Sequence, residues 1–243
     1  MANDYFQFKQ FTIRQHRCAM KVGTDGTLLG AWSLASSGPC RILDIGTGTG
    51  LIALMMAQRY PQASVTAIDM DAQAVQQARE NVAASPFAER IHVVEGDVQA
   101  FETTEKFDSI VCNPPFFEDS LTCPDPQRTE ARHTVTLGYR QLMESVFRLL
   151  KDDGLFSVII PTDCRARLES EAHLRGFFIS RVCSIQTTPR KAPKRYMIEM
   201  TKQPVNEVDT TNGILESSPQ IRSDWYHELT KEFYIKCRRP SYN

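Results

Sequence analysis

No stretch of the 243-residue chain approaches the ~18 consecutive apolar residues of a membrane-spanning helix. The opening, Met1 to Gln10, is polar and aromatic and lacks the apolar run of a secretory leader, which argues against a signal peptide. Cysteine is sparse and unpaired in pattern: seven residues, scattered from Cys18 to Cys237, with no C-x-x-C among them. That excludes a zinc ribbon and a disulfide framework and points to reduced thiols in a cytoplasmic protein. His133, behind Arg128 and Arg132, has no second ligand at metal spacing, so no metal is expected. Internal repeats and low-complexity tracts are missing too, and the composition argues against disorder, collagen and a charge-rich coiled coil. Nor does one sign of charge dominate. With 28 Lys+Arg against 29 Asp+Glu the net charge is −1, which by itself predicts no polyanionic partner.

What is present is enough chain, with 42% hydrophobic residues, for one globular domain of the larger kind. Its charge is unevenly spread. Residues 1–41 hold five basic and two acidic residues, residues 42–185 thirteen and twenty, and residues 186–243 ten and seven. If the two basic ends meet, a neutral protein can still present a basic surface.

From residue 40 onward, short apolar runs alternate with amphipathic stretches. Strands are expected at 41–45, 64–69, 91–95, 107–112, 155–160, 177–186 and 196–201. Helices are expected at 51–59, 71–84, 139–151 and 162–175, with Asp71 as an N-cap. This alternation predicts an α/β fold with right-handed βαβ units and a seven-stranded, mostly parallel sheet covered by helices on both faces. The last two strands are separated only by Thr187 to Arg195, so one strand should run antiparallel. The expected organisation is an N-terminal extension (1–40), a core (41–202) and a polar tail (203–243) with a helix near 223–236. Residues 117–137 form a long segment of weak periodicity, a length usually reserved for function.

The chemistry concentrates at strand ends. The first strand runs into Asp44-Ile45-Gly46-Thr47-Gly48-Thr49-Gly50, where glycines let the backbone approach a ligand and a helix N-terminus follows. The spacing is G-x-G-x-G, not the G-x-G-x-x-G of a dinucleotide site, which disfavours a nicotinamide oxidoreductase. Asp44 would repel a pyrophosphate but not a cationic or amino-bearing ligand. Asp69 ends the second strand and can accept from both hydroxyls of a ribose, with Met70 placed to pack on a purine. Asp97, after the third strand, can accept from an exocyclic amine. The fourth strand ends at Asn113-Pro114-Pro115-Phe116, a rigid turn with free carbonyls. The Asn113 amide oxygen and the Pro114 carbonyl can accept both hydrogens of an aromatic NH2 and localise its lone pair. Phe116 can stack on the same base, worth ~1–3 kcal/mol. Adenine, guanine and a glutamine side chain all present such a planar amine, so the turn alone does not choose among them. Arg190, Lys191, Lys194 and Arg195 beside Tyr196 suit phosphate contacts plus stacking, joined by Lys236, Arg238 and Arg239.

These residues are familiar. Asp44–Gly50 resembles motif I of S-adenosylmethionine-dependent class I methyltransferases with a Rossmann-like fold, and Asn113–Phe116 their amino-methylating motif IV. The block Met20-Lys21-Val22-Gly23-Thr24-Asp25-Gly26-Thr27-Leu28-Leu29-Gly30-Ala31-Trp32, with Phe117 and Ala131-Arg132-His133, resembles the bacterial tRNA1(Val) adenine-N6 methyltransferase family over about residues 8–201. The resemblance implies methylation of the adenine 3′ of the anticodon in a valine tRNA. By the same resemblance Lys21 and Gly23 close over the cofactor, and Gly46, Gly48 and Gly50 pass its methionine moiety. Asp69 holds the ribose, Asp97 the cofactor adenine, and Asn113, Pro114, Pro115 and Phe116 the target base. Partners would be tRNA, with no membrane, no metal and a monomeric state. Methylation of ribosomal RNA guanine or protein glutamine, and a non-catalytic cofactor- and RNA-binding module, are the competing functions.

Overall fold

The structure is a computed structural model that describes residues 4–18, 21–114 and 137–235. Its centre is an eight-stranded sheet, built from β3 (Cys40–Ile45), β4 (Ala63–Asp69), β5 (Ile91–Glu95), β6 (Phe107–Cys112), β7 (Leu150–Pro161), β8 (Phe178–Gln186), β9 (Arg195–Thr201) and β10 (Asp209–Ile214). Their order is β10-β8-β9-β7-β6-β3-β4-β5. β9 pairs antiparallel with both neighbours, β7 and β8, and every other pairing is parallel. The seven expected strands are all there. The eighth, β10, is drawn from the polar tail and extends the sheet alongside β8.

Buried strands read as near-continuous apolar runs, and alternate residues serve opposite faces. Ile42, Val65, Val111 and Ile159 point to one face, where α1 (Thr24–Trp32) and α2 (Leu51–Arg59) pack. Leu43, Ile68, Ile110 and Val158 point to the other, under α4 (Tyr139–Leu149) and α5 (Arg165–Leu174). α3 (Ala72–Ala83) starts at Asp71, whose carboxylate accepts from the Gln73 N–H at 2.9 Å, the cap expected of it.

Residues 4–32 add a hairpin of β1 (Tyr5–Gln7) and β2 (Thr12–Arg14), followed by α1. Phe8, Phe11, Ile13, Leu28 and Leu29 are buried in the same core as α2. At the other end, β11 (Glu216–Ser218), β12 (Ile221–Arg222) and α6 (Asp224–Thr230, capped by Ser223) return to this face. There Tyr234 stacks on Phe8 at 5.6 Å, and the Lys9 N–H donates to the Phe233 carbonyl at 2.8 Å. The two ends of the described chain therefore meet.

The strand order sets the place of a site. From β3 the chain winds outward through β4 and β5, then crosses to the other side of β3 to form β6. The crevice at the carboxyl ends of β3 and β6 is the switch point where open α/β sheets bind ligands.

Candidate active site

Strand register brings the two singled-out turns together. Ile45, the last residue of β3, pairs with Cys112 of β6 on one side and with Ile68 of β4 on the other. Gly46, Asn113 and Asp69 therefore leave three adjacent strands at one level. Asp69 in turn pairs with Glu95, which brings Gly96 and Asp97 to the same rim.

The glycine loop is held from below by backbone. The Gly46 and Thr47 N–H groups both donate to the Ile68 carbonyl, at 2.9 and 3.1 Å. Gly46 and Gly48 adopt φ of +69° and +54°, and an added Cβ at either would have nothing within 4 Å. Space rather than protein faces those two residues, as a backbone that cradles a ligand requires.

Asp44 is fully buried behind the loop. One of its oxygens, Oδ2, accepts from the Thr47 hydroxyl at 2.6 Å and the Ala53 N–H at 3.1 Å, while Oδ1 has no partner. Burial raises its pKa from 3.8 to about 7, against the lowering effect of those two donors. Asp69 serves the loop directly: its Oδ2 accepts from the Gly48 N–H at 2.8 Å, its Oδ1 from the Asp71 N–H at 3.0 Å. Each carboxylate oxygen has further lone-pair capacity for a diol. Asp97 is half-buried, and its carboxylate accepts from the Gln99 backbone N–H at 2.9 Å. On the far side Asn113 carries a second buried, unpartnered oxygen, Oδ1.

The glycine loop, Asp69, Asp97 and Asn113 line one cavity of about 490 Å³. Among the residues singled out from the sequence, Lys21, Gly23, Gly46, Gly48, Asp69, Met70, Asp97, Asn113 and Pro114 border it. Asp44 and Gly50 stand just behind the wall: Gly50, at φ +82°, packs on Ala78 of α3. Pro115 and Phe116 lie outside the described residues, as do His133, Lys236, Arg238 and Arg239.

Residues not singled out also border the cavity, notably Cys18, Asp25 and Ala74. Burial, with Asp69 and Asp71 nearby, pushes the Cys18 thiol up to about 11, so it stays protonated at neutral pH. Asp25 pairs with Arg195 Nε at 2.9 Å, which ties β9 to α1 at the cavity wall. Asp25 sits in the Lys21–Trp32 block, so a search for acids beside the site was open to it. Its basic partner, 170 positions away, was not foreseeable as a partner. Arg195 is thus engaged within the protein, whereas Arg190, Lys191 and Lys194 are exposed at the β8–β9 turn. That turn sits on the same rim, since Lys194 and Pro193 carbonyls accept from Thr162 just past β7.

Among the described residues no group of three His, Cys, Asp or Glu is placed to hold a metal ion, and no helix is long and apolar enough to cross a membrane.

Comparison with known proteins agrees with this geometry. The methyltransferase small domain family model matches residues 24–125. The tRNA1(Val) (adenine(37)-N6)-methyltransferase of Bacteroides thetaiotaomicron is 48% identical over 98% of this chain and 100% of its own length. The enzyme of the same name from Phocaeicola vulgatus is 50% identical over 97% of this chain and 99% of its own. The crystal structure of a predicted O-methyltransferase from Agrobacterium tumefaciens superposes with a TM-score of 0.66 at 20% identity, covering 86% of this chain and 96% of that one. This last likeness establishes the Rossmann-like class I methyltransferase fold.

Proposed function

The chain belongs to the tRNA1(Val) (adenine(37)-N6)-methyltransferase family, and from that premise we propose that it methylates N6 of adenine 37, the adenine 3′ of the anticodon, in a valine tRNA. S-adenosyl-L-methionine, the methyl donor of such enzymes, supplies an electrophilic methyl carbon on a sulfonium. The cavity fits it in kind: open space over Gly46 and Gly48, a buried acidic group behind them, and acids at two further strand ends. Lys21, Gly23, Gly46, Gly48, Asp69, Met70, Asp97 and Asn113 would hold it, with Asp44 and Gly50 shaping the glycine loop from behind. Asp69 takes the ribose diol with its remaining lone pairs, and Asp97 the amino group of the cofactor adenine.

The observation that carries the reading is the unpartnered, buried Oδ1 of Asn113, one strand from the glycine loop. A buried acceptor without a donor costs about 1–3 kcal/mol, a cost that a substrate N–H removes. Asn113 Oδ1 and the Pro114 carbonyl accept the two N6 hydrogens and turn the nitrogen lone pair out of conjugation with the ring. The nitrogen turns acidic only as it gains positive charge, so no strong base is required beforehand. The remaining acceleration comes from orientation. Pro115 and Phe116 complete the grip on the base, which has to leave its stack to enter. The N-terminal extension acts as the cover of the cofactor and the sheet with its helices as the catalytic core, while β10 and α6 of the tail pack against that core. The enzyme works as a monomer in the cytoplasm, and the exposed Arg190, Lys191 and Lys194 meet tRNA phosphates beside Arg195.

The test is methyl transfer from labelled cofactor to an unmodified valine tRNA transcript, followed by nucleoside analysis. N6-methyladenosine is the expected product. Label in guanine, or no label in the transcript, would overturn the proposal.

A further inference from the structure

α3 carries two carboxamides on a face that should be apolar. Its inward stripe is Ala74, Gln77, Ala78 and Asn81, at i, i+3, i+4 and i+7, and Gln77 and Asn81 are 0% and 1% exposed. Buried amides need partners. Asn81 Oδ1 accepts from the Arg14 N–H at 2.8 Å, and Nδ2 donates to the Arg14 carbonyl at 2.9 Å. The side chain thus imitates a neighbouring strand along β2. The same Nδ2 donates to the Thr49 carbonyl, inside the glycine loop, at 2.8 Å. Gln77 Oε1 accepts from the Arg17 N–H at 3.2 Å, and Gln15 Oε1 from the Val22 N–H at 2.8 Å. Three amides therefore fasten Arg14, Arg17 and Val22, the last of these between Lys21 and Gly23 at the cavity. Asn81 hydrogen-bonds both to that arm and to the glycine loop.

We propose that Asn81 is a positioning residue for cofactor binding, one carboxamide that fixes the arm carrying Lys21 and Gly23 to the glycine loop at Thr49. The inference rests on the cofactor reading above. Neither group reacts, so the effect falls on how tightly the cofactor is held rather than on the chemical step. Asn81→Asp keeps the shape and the acceptor for Arg14 but deletes both donations, and it sets a carboxylate against two carbonyls. Gln77→Ala loosens the arm and leaves the loop contact intact.

The experiment is calorimetric titration with S-adenosylmethionine, together with steady-state methylation at saturating tRNA. Asn81→Asp should raise the cofactor Kd and KM at least tenfold and leave kcat at saturating cofactor within about twofold. Gln77→Ala should raise Kd no more than threefold. Hydrogen exchange read across the arm and across the glycine loop should quicken together in Asn81→Asp, but only at the arm in Gln77→Ala. Unchanged Kd in a folded Asn81→Asp protein would overturn the role, as would a fall in kcat with KM unmoved. If Asn81→Asp fails to fold, Asn81→Ser at reduced temperature reads the same Kd and KM. Absence of heat with the unsubstituted protein would instead sink the cofactor reading itself, which keeps the two failures apart.

Discussion

Among the described residues, Asn113 and Asp44 are the two side chains beside the cavity that end in a buried oxygen without a donor, and they carry opposite consequences. For Asn113 the missing partner is the substrate. Asn113→Ala should cut methyl transfer by a factor of about 10² or more, the loss seen when a positioned polar group that acts in the transition state is removed. The cofactor Kd should change far less, because the glycine loop, Asp69 and Asp97 are untouched. Single-turnover transfer and calorimetry check the two halves separately, and full activity in the variant would remove Asn113 from the chemistry.

For Asp44 the consequence is a pH dependence of stability. Its folded pKa, about 7, lies above the unfolded 3.8, so between those values the folded chain binds more protons than the unfolded one. The contribution of Asp44 to the stability of the free protein then falls as pH rises from about 4 to about 7, by roughly 4 kcal/mol at most, and levels off above. Asp44→Asn should flatten that slope, measured as Tm against pH without cofactor. A Tm profile identical to the unsubstituted protein would show that Asp44 is ionised throughout.

Among the elements, the strands that bury both faces were legible because an apolar run between turn residues has few alternatives. β5 and β6 match their expected limits, and β3, β4 and β9 begin one residue early. β10 was hidden for a physical reason. Its sequence, Asp209-Thr210-Thr211-Asn212-Gly213-Ile214, is exposed over its first four residues and carries no hydrophobic pattern. It is a strand because β8 offers an open edge, and α6 then covers its end. The hairpin of β1 and β2 was equally silent, at three residues per strand. Gly213 records how tightly α6 covers β10: a Cβ there would lie 2.4 Å from the Trp225 ring. Gly213→Ala should therefore cost about 1–3 kcal/mol through overpacking. Urea unfolding would register it, while the cofactor Kd, set at the far side of β6, stays as it was. No loss of stability would mean that the indole moves aside freely.

For the molecule as a whole, the site was legible where chemistry is written in one short segment and illegible where it is shared between distant ones. Asp44 to Gly50 and Asn113-Pro114 declare themselves, and strand register does the rest. The Asp25–Arg195 pair and the Asn81 hydrogen bonds join residues far apart in sequence, and only the fold reveals them. That pairing also changes how the basic turn is read. Arg195 is spent on Asp25, so three cations rather than four remain exposed at the β8–β9 turn: Arg190, Lys191 and Lys194. In a chain of net charge −1 they are a local excess on the rim where the target base has to arrive. Each phosphate contact adds about 0.7–0.9 to the slope of log K against log salt, so neutralising all three to Gln should make that slope shallower by about 2 to 3. Arg195→Gln should act differently. It unties β9 from α1 at the cavity wall, so it should disturb cofactor binding as well as tRNA binding. Filter binding of tRNA from low to high salt, set beside cofactor calorimetry, separates the two. A triple variant whose salt slope matches the unsubstituted protein would move the tRNA contact to another face.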